Sequence, residues 1–367
     1  MAVVPKLQAE EIDDLGDITN NLTSLQFESA LTEEEKSVIH LRRRSHAHTV
    51  TVCAQATYFV SILNEARQIG VHLKNPKVRR ASRLVQDDPT RDCINIGIIG
   101  CGRLGSHLAH CFLTFAEVSS ECLFISTRRP ETLDVECVSD NADVASHVNI
   151  LFLCVLPSQF TTVAEEIRGH IMKGCIVYSL VSAVSIPRLK QLLGYNNIIH
   201  PEIEFSEIEA PWDYTMDITG AFCKREILEQ TCPITWKKQD CVLWTSEKFA
   251  EQLIYSLVNI CTQLKLSRTD TVDIVNAVVL GHSTESPLQV IIEQDDITKY
   301  GKGDNTEFPF FDLSTTLNRD TPITKKLQMS ALRQAYIDRY CYMFQQYIDW
   351  RNTSLAQASK QGRLSFG

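Results

Sequence analysis

The chain has 367 residues, of which 44% are hydrophobic and 22% charged, and its formal net charge is -9. That composition excludes a disordered chain and leaves room for two cores and a peripheral segment. Nine acids between Glu10 and Glu35 face a single base, Lys6, so the body is near neutral; a nucleic-acid partner, which demands clustered cations, is excluded.

Residues 1 to about 30 are acidic and aperiodic and read as a tail. At Thr32 a helical pattern opens, with Thr32 as N-cap and Glu35 closing a capping box. Apolar residues recur at Val50, Cys53, Tyr58, Val60, Leu63 and Ala66, which predicts one or two helices ending near Gly70. Residues 71–92 form a basic connector. The basic runs Arg42–Arg44 and Lys77–Arg83 read as solvated helix faces.

From Asn95 the chain alternates as a parallel sheet with crossover helices requires. Short apolar runs at 96–99, 122–126, 150–156, 175–180 and 197–200 predict buried strands. Leu104, Leu108, Cys111, Phe112 and Phe115 share one face of a first crossover helix. A second runs over 158–170, and Pro187 suits the first turn of a third.

After Glu204 helical patterns take over. Ser246 is placed to cap a helix burying Phe249, Leu253, Leu257, Ile260 and Leu264. A second helix spans about 270–280. The longest, about 323–350, carries Leu332, Tyr336, Tyr340, Met343 and Tyr347 along one stripe. That apolar surface exceeds what one small domain readily buries and predicts a homodimer. The expected fold is α/β: a Rossmann-type doubly wound, mainly parallel sheet (93–205), with a helical C-terminal domain (206–367) and an N-terminal acidic tail and helical extension (1–92).

Thirteen cysteines include no Cys-x-x-Cys pair, so no zinc or dithiol motif is present and no metal is expected. Several sit in apolar runs, as reduced thiols in the cytoplasm do. Neither a secretory nor a transit signal is read in the N-terminal residues. No apolar run reaches the roughly 20 residues that cross a bilayer, so no membrane partner is expected.

The chemistry concentrates at Gly100-Cys101-Gly102-Arg103-Leu104-Gly105, which fits Gly-x-Gly-x-x-Gly between a strand and a helix. In that motif the first glycine makes the turn, the second admits a pyrophosphate against bare backbone, and the third lets helix and strand pack closely. Amides at the helix start complete an anion site. An NAD site places a carboxylate about 20 residues on, to take the ribose 2'-hydroxyl. Here Ser126, Thr127 and Arg128 stand there, with Arg129 following. Hydroxyls and a guanidinium suit a 2'-phosphate, so the cofactor expected is NADP. Val155, Leu156 and Pro157 end the next strand at the edge where such folds bind ligands, beside the nicotinamide ribose; residues 181–185 hold the same place one strand further.

These segments resemble the pyrroline-5-carboxylate reductase family over about residues 94–204: the glycine run, Ser-Thr-Arg, Leu-Phe-Leu-Cys-Val-Leu-Pro and Val-Ser-Ala-Val-Ser-Ile. The resemblance implies reduction of a cyclic imine with NAD(P)H and a helical C-terminal domain that forms the dimer. It also implies pyrophosphate contacts from Gly100, Gly102, Arg103 and Leu104, 2'-phosphate contacts from Ser126 to Arg128, and nicotinamide contacts from Val155 to Pro157. The chain departs from the family where Leu156 replaces a lysine and where His200-Pro201-Glu202-Ile203-Glu204 replaces Met-Pro-Asn-Thr-Pro. Cofactor binding is therefore implied, and proline synthesis is not.

Hydride transfer needs a small-molecule acceptor held against the nicotinamide and a group to supply a proton. His200 and Glu202, emerging at the sheet edge, are the candidate catalytic pair, with the imidazole as proton donor. Asn276 and His282 stand in the nearest stretch of the second domain and read as helix face and cap. The reading is an NADP(H)-dependent oxidoreductase of an unassigned imine or carbonyl substrate. The alternative is a catalytically silent NADP(H)-binding protein that responds to redox state.

Overall fold

The structure, a computed structural model, describes residues 32–74, 94–127, 137–138, 140–207, 212–234, 241–281, 291–298, 306–316 and 320–364. The expected acidic tail up to residue 31, the run Lys77–Arg83, Arg128, Arg129 and His282 lie outside them.

Six strands form one parallel sheet: β1 (Ile96–Ile99), β2 (Leu123–Ser126), β3 (Cys137–Val138), β4 (Ile150–Leu153), β5 (Ile176–Ser179) and β6 (Ile198–Ile199). Their order, β3-β2-β1-β4-β5-β6, is that of a doubly wound dinucleotide-binding sheet. The five strands expected from apolar runs are all present; the two-residue β3 is added at the edge. Registers align Ile99 with Ser126 and Leu153, and Leu153 with Ser179. The carboxyl ends therefore stand in one row, and every following loop opens on the same edge.

Each inner strand is apolar on both faces because both are covered. Leu151 and Leu153 of β4 face Val144, Phe160, Ile167 and Leu189, carried by the helices Asn141–His147, Pro157–Ile167 and Ile186–Leu193. Ile150 and Phe152 point the other way, as the period of two dictates. There Phe152 meets Phe112 of the helix Arg103–Phe115 (centroids 4.9 Å apart) and Tyr178 (4.8 Å), and Tyr178 meets Phe59 (5.4 Å).

Phe59 belongs to a single 36-residue helix, Ile39–Lys74. Every residue from Val50 to Val60 is buried, because the sheet-side helix Arg103–Phe115 lies on one side and the C-terminal helices on the other. It is therefore the missing layer on one face of the sheet. The side-chain amide nitrogen of its buried Gln55 donates to the Thr231 carbonyl at 2.9 Å and to Thr245 Oγ1 at 2.6 Å, which offsets the desolvation cost of the amide hydrogens.

Two expectations about this helix are corrected. It does not stop near Gly70, where an added Cβ would lie 2.7 Å from Leu264 Cδ1 and 2.9 Å from Leu266 Cδ1; the glycine permits close packing and the helix runs on to Lys74. Nor do Arg43 and Arg44 line a plain solvated face. Their guanidinium carbons sit 5.5 Å over the Tyr214 ring and 5.8 Å over the Phe205 ring, contacts an arginine's planar cation favours.

The helix Glu247–Gln263 has no single buried face: Ala250 to Cys261 are all buried, whereas Leu264 is only partly so. Its buried Glu251 pairs with Lys248 at 3.1 Å and accepts from Thr321 and Thr324. Ser246 stands at its N-cap without a side-chain bond. The expected second helix is Arg268–Leu280, and the longest is two: Pro322–Leu327 and Ser330–Leu364. Leu332, Tyr336, Tyr340 and Phe344 are buried within the same chain, Tyr340 lying 4.8 Å from Tyr58 of the long helix. Of the stripe from which a second copy was expected, Leu332, Tyr336 and Tyr340 are thus covered intramolecularly, while Met343 and Tyr347 are half-buried. A small antiparallel ladder pairs β7 (Ile203–Phe205) with β8 (Leu243–Thr245).

Candidate active site

The carboxyl edge opens into a cleft of about 1590 Å³. Its floor is the glycine elbow. Gly100 has φ +93°, a conformation other residues rarely adopt, and its N–H is taken by the Ser126 carbonyl at 3.1 Å. It serves the turn and is not a free amide donor. A Cβ on Gly105 would fall 2.5 Å from the Gly100 oxygen, whereas one on Gly102 would meet nothing within 4 Å. Gly105 thus seals helix against strand, and the bare face of Gly102 opens onto the cleft.

The helix Arg103–Phe115 begins there with no side-chain cap and no acid in its first turn, so its first amides are left for an anion. The helix Pro157–Ile167 starts the same way from Leu156. Leu156 is 64% exposed and Val155 packs on the elbow, 2.7 Å from the Cβ position of Gly100. Cys101, Arg103, Leu104, Val155, Leu156 and Pro157 all line the cleft. Burial raises the pKa of the Cys101 thiol and, more strongly, that of Cys154, so both are protonated thiols rather than nucleophiles.

Ser126 and Thr127 line the cleft at the end of β2. Ser126 Oγ donates to Asn141 Oδ1 at 2.6 Å, and Asn141 Nδ2 donates to Glu166 Oε2 at 2.5 Å. This chain of hydrogen bonds was not foreseen, since its members come from β2 and two later helices. It engages the Ser126 hydroxyl within the protein. Arg128 lies outside the described residues.

The opposite end gathers Ser179, Leu180, Ser182, Ala183 and the segment His200–Ile203. Ala183 has φ +60°, a left-handed strain of about 1–2 kcal/mol of the kind found at ligand-handling loops. His200 Nδ1 lies 2.9 Å from the Ser179 carbonyl. A carbonyl only accepts, so Nδ1 carries the proton and the neutral ring keeps a lone pair at Nε2. Burial lowers the His200 pKa, against the opposing pull of the Ser179 carbonyl and Glu202. The resting ring is accordingly an acceptor near neutral pH; it becomes the expected proton donor only once protonated. The Glu202 carbonyl takes the Ser246 amide at 3.0 Å, so the β7–β8 ladder fixes this segment. Asn276 is turned inward, bonded to Val272 and Ile292, and is absent from the cleft lining.

His48 and Val52, from the long N-terminal helix, close the same end. No motif marks them, because the helix reaches the sheet only through tertiary packing. A second chamber of about 1180 Å³ adjoins at Ala183, His200 and Glu202 and is bordered by Lys190, Ser314 and Thr315. Among the described residues no helix is long and apolar enough to cross a membrane and no group of side chains could hold a metal ion.

Residues 95–182 match the family model described as NADP oxidoreductase coenzyme F420-dependent. A mouse protein, NADP-dependent oxidoreductase domain-containing protein 1, is 30% identical over 351 residues, covering 89% of this chain and 93% of its own. Pyrroline-5-carboxylate reductase 1 of Dictyostelium discoideum is 24% identical over 104 residues, 27% of this chain and 19% of that protein. Among solved structures, Plasmodium falciparum pyrroline carboxylate reductase with NADP bound aligns at 15% identity and a TM-score of 0.28, covering 69% of this chain and 98% of that one. Strand order and the near full-length match to the mouse protein agree: the chain belongs to the family of NADP-dependent oxidoreductase domain-containing protein 1.

Proposed function

We propose that the chain binds NADP(H) along this cleft and transfers hydride to or from an imine or carbonyl compound. The observation that carries the reading is the unobstructed Gly102 face, set at an uncapped helix start within one cleft that continues to His200 and Glu202. When bound, the nicotinamide supplies or accepts the hydride. The amides of Gly102, Arg103 and Leu104 hold the pyrophosphate. Thr127 and Arg128 take the 2'-phosphate, with Ser126 holding Asn141 in place beside them. Val155, Leu156 and Pro157 flank the nicotinamide ribose. His200 moves the proton at Nε2: as imidazolium it donates in the reductive direction, and as neutral imidazole it accepts in the oxidative one. Glu202 favours the charged ring.

Fluorescence titration tests this directly. NADPH is expected to bind at least about tenfold more tightly than NADH, and Arg128→Ala to narrow the gap. Equal affinities overturn the NADP assignment. NADPH binding without oxidation by any imine or carbonyl in a broad panel overturns the hydride-transfer reading and favours a silent NADP(H)-binding protein.

A further inference from the structure

Two histidines two residues apart on the long N-terminal helix have opposite fates. His46 is locked at both nitrogens: Nδ1 accepts from Trp212 Nε1 at 2.8 Å, and Nε2 donates to the Met216 carbonyl at 2.7 Å. His48 forms no hydrogen bond to any described residue. Its ring stacks on Phe205, with centroids 6.2 Å apart at 28°, and it borders the cleft at the end holding Ser179, His200 and Glu202. Because the ring borders the open cleft, its nitrogens are left to solvent or to a ligand bound there. Whichever tautomer it adopts, it offers one N–H donor and one acceptor. The stack fixes the ring plane, so this donor and acceptor are held in place at the cleft wall.

The charges at this end are one-sided. Among the described residues lining this end, Glu202 is the charged side chain; Arg44, one helical turn from His48, lies over the Phe205 ring behind it and donates to the Ser206 carbonyl. Arg103 borders the cleft at the glycine elbow. Lys190 lies in the adjoining chamber and is already paired with Asp312 at 3.4 Å. A carboxylate brought beside the reacting carbon would meet the exposed Glu202 carboxylate, a like-charge contact that solvent screens but does not abolish.

We propose that His48, delivered by the N-terminal helix, is a substrate-binding residue of the hydride-transfer site, and that its substrate is an uncharged or cationic carbonyl or imine compound rather than a carboxylic acid. The proposal rests on the cofactor reading above and deepens it. His48 hydrogen-bonds the polar group of the substrate across the cleft from His200. Glu202 supplies the charge discrimination.

The test uses the full chain saturated with NADPH and three probes of one shape: cyclohexanone, cyclohexylamine and cyclohexanecarboxylate, with binding measured by calorimetry. Cyclohexanone or cyclohexylamine is expected to bind at least about threefold more tightly than the carboxylate. His48→Phe should weaken that binding about fivefold or more, His48→Gln should restore most of it, and both variants should bind NADPH as the parent does. Binding of the carboxylate as tight as the others, no binding of any probe, or unchanged affinity in His48→Phe overturns the proposal. Should His48→Phe fail to fold, His48→Leu and His48→Gln compared with each other give the same reading. Failure of the parent chain to bind NADPH overturns the cofactor reading instead, which separates the two claims.

Discussion

At the glycine elbow the cleft is made by one unbroken stretch, strand to glycine turn to helix. At its opposite end it is assembled from His48, Ser179, Ala183 and His200, which lie up to 152 positions apart. The first is local and rigid. The second exists only while the long helix, the sheet and the β7–β8 ladder are packed together. The elbow of such a site can thus be kept by six consecutive residues, whereas the far end depends on the whole tertiary arrangement.

The largest expected effect tests the local end. Gly102→Val should reduce NADPH affinity by about a hundredfold or more while shifting Tm by no more than about 2 °C, because its side chain enters open space. Gly105→Val should instead compromise folding, since its Cβ lands 2.5 Å from the Gly100 oxygen. Paired titrations and thermal melts check this; equal melting losses in both would erase the distinction drawn between the two glycines.

The assembled end is probed through the long helix. Phe59→Ala should cost about 3–5 kcal/mol in urea unfolding, because Phe59 is fully buried against Tyr178 of β5. A loss under about 1 kcal/mol would mean that the helix is an accessory and not a layer of the fold.

Acidity should affect the reactive end first. Burial lowers the pKa of both His48 and His200 below the ordinary 6.5. The folded state therefore takes up these protons less readily than the unfolded chain. Their contribution to stability is complete above about pH 6.5 and is lost as pH falls through the lowered values. His200→Asn should flatten the decline of the urea midpoint between about pH 7.5 and 5.5. Reductive turnover should fall as pH rises through the lowered His200 value, and oxidative turnover should rise. A reductive rate that climbs with pH would remove His200 as the proton donor.

The smallest effect concerns strain. Ala183→Gly should stabilise the chain by no more than about 1 kcal/mol, since relief of the φ +60° conformation is partly offset by the entropy glycine adds to the unfolded state. A clear destabilisation would show that the Ala183 methyl makes contacts worth more than its strain.

The strands and the glycine elbow were legible because buried parallel strands are continuous apolar runs and because a tight turn needs particular glycines. Ile96–Ile99 through Gly105 is the plainest case. The β7–β8 ladder was not legible: three residues per strand are too few for a period of two to stand out. The Ser126–Asn141–Glu166 chain was missed because hydrogen bonds between side chains of separate elements leave no trace in spacing.

By itself the amino-acid sequence determined the strand order's raw material, the turn and the cofactor edge, since these follow from steric and burial patterns within a few consecutive residues. Only the tertiary structure decided that residues 39–74 are a layer of the core, that the aromatic stripe of the last helix is covered by Tyr58, and that His48 faces the cleft while His46 does not. Those outcomes depend on which surfaces meet when remote helices pack. A helix buried from Val50 to Val60 on every side has no polar face from which its neighbours could have been read.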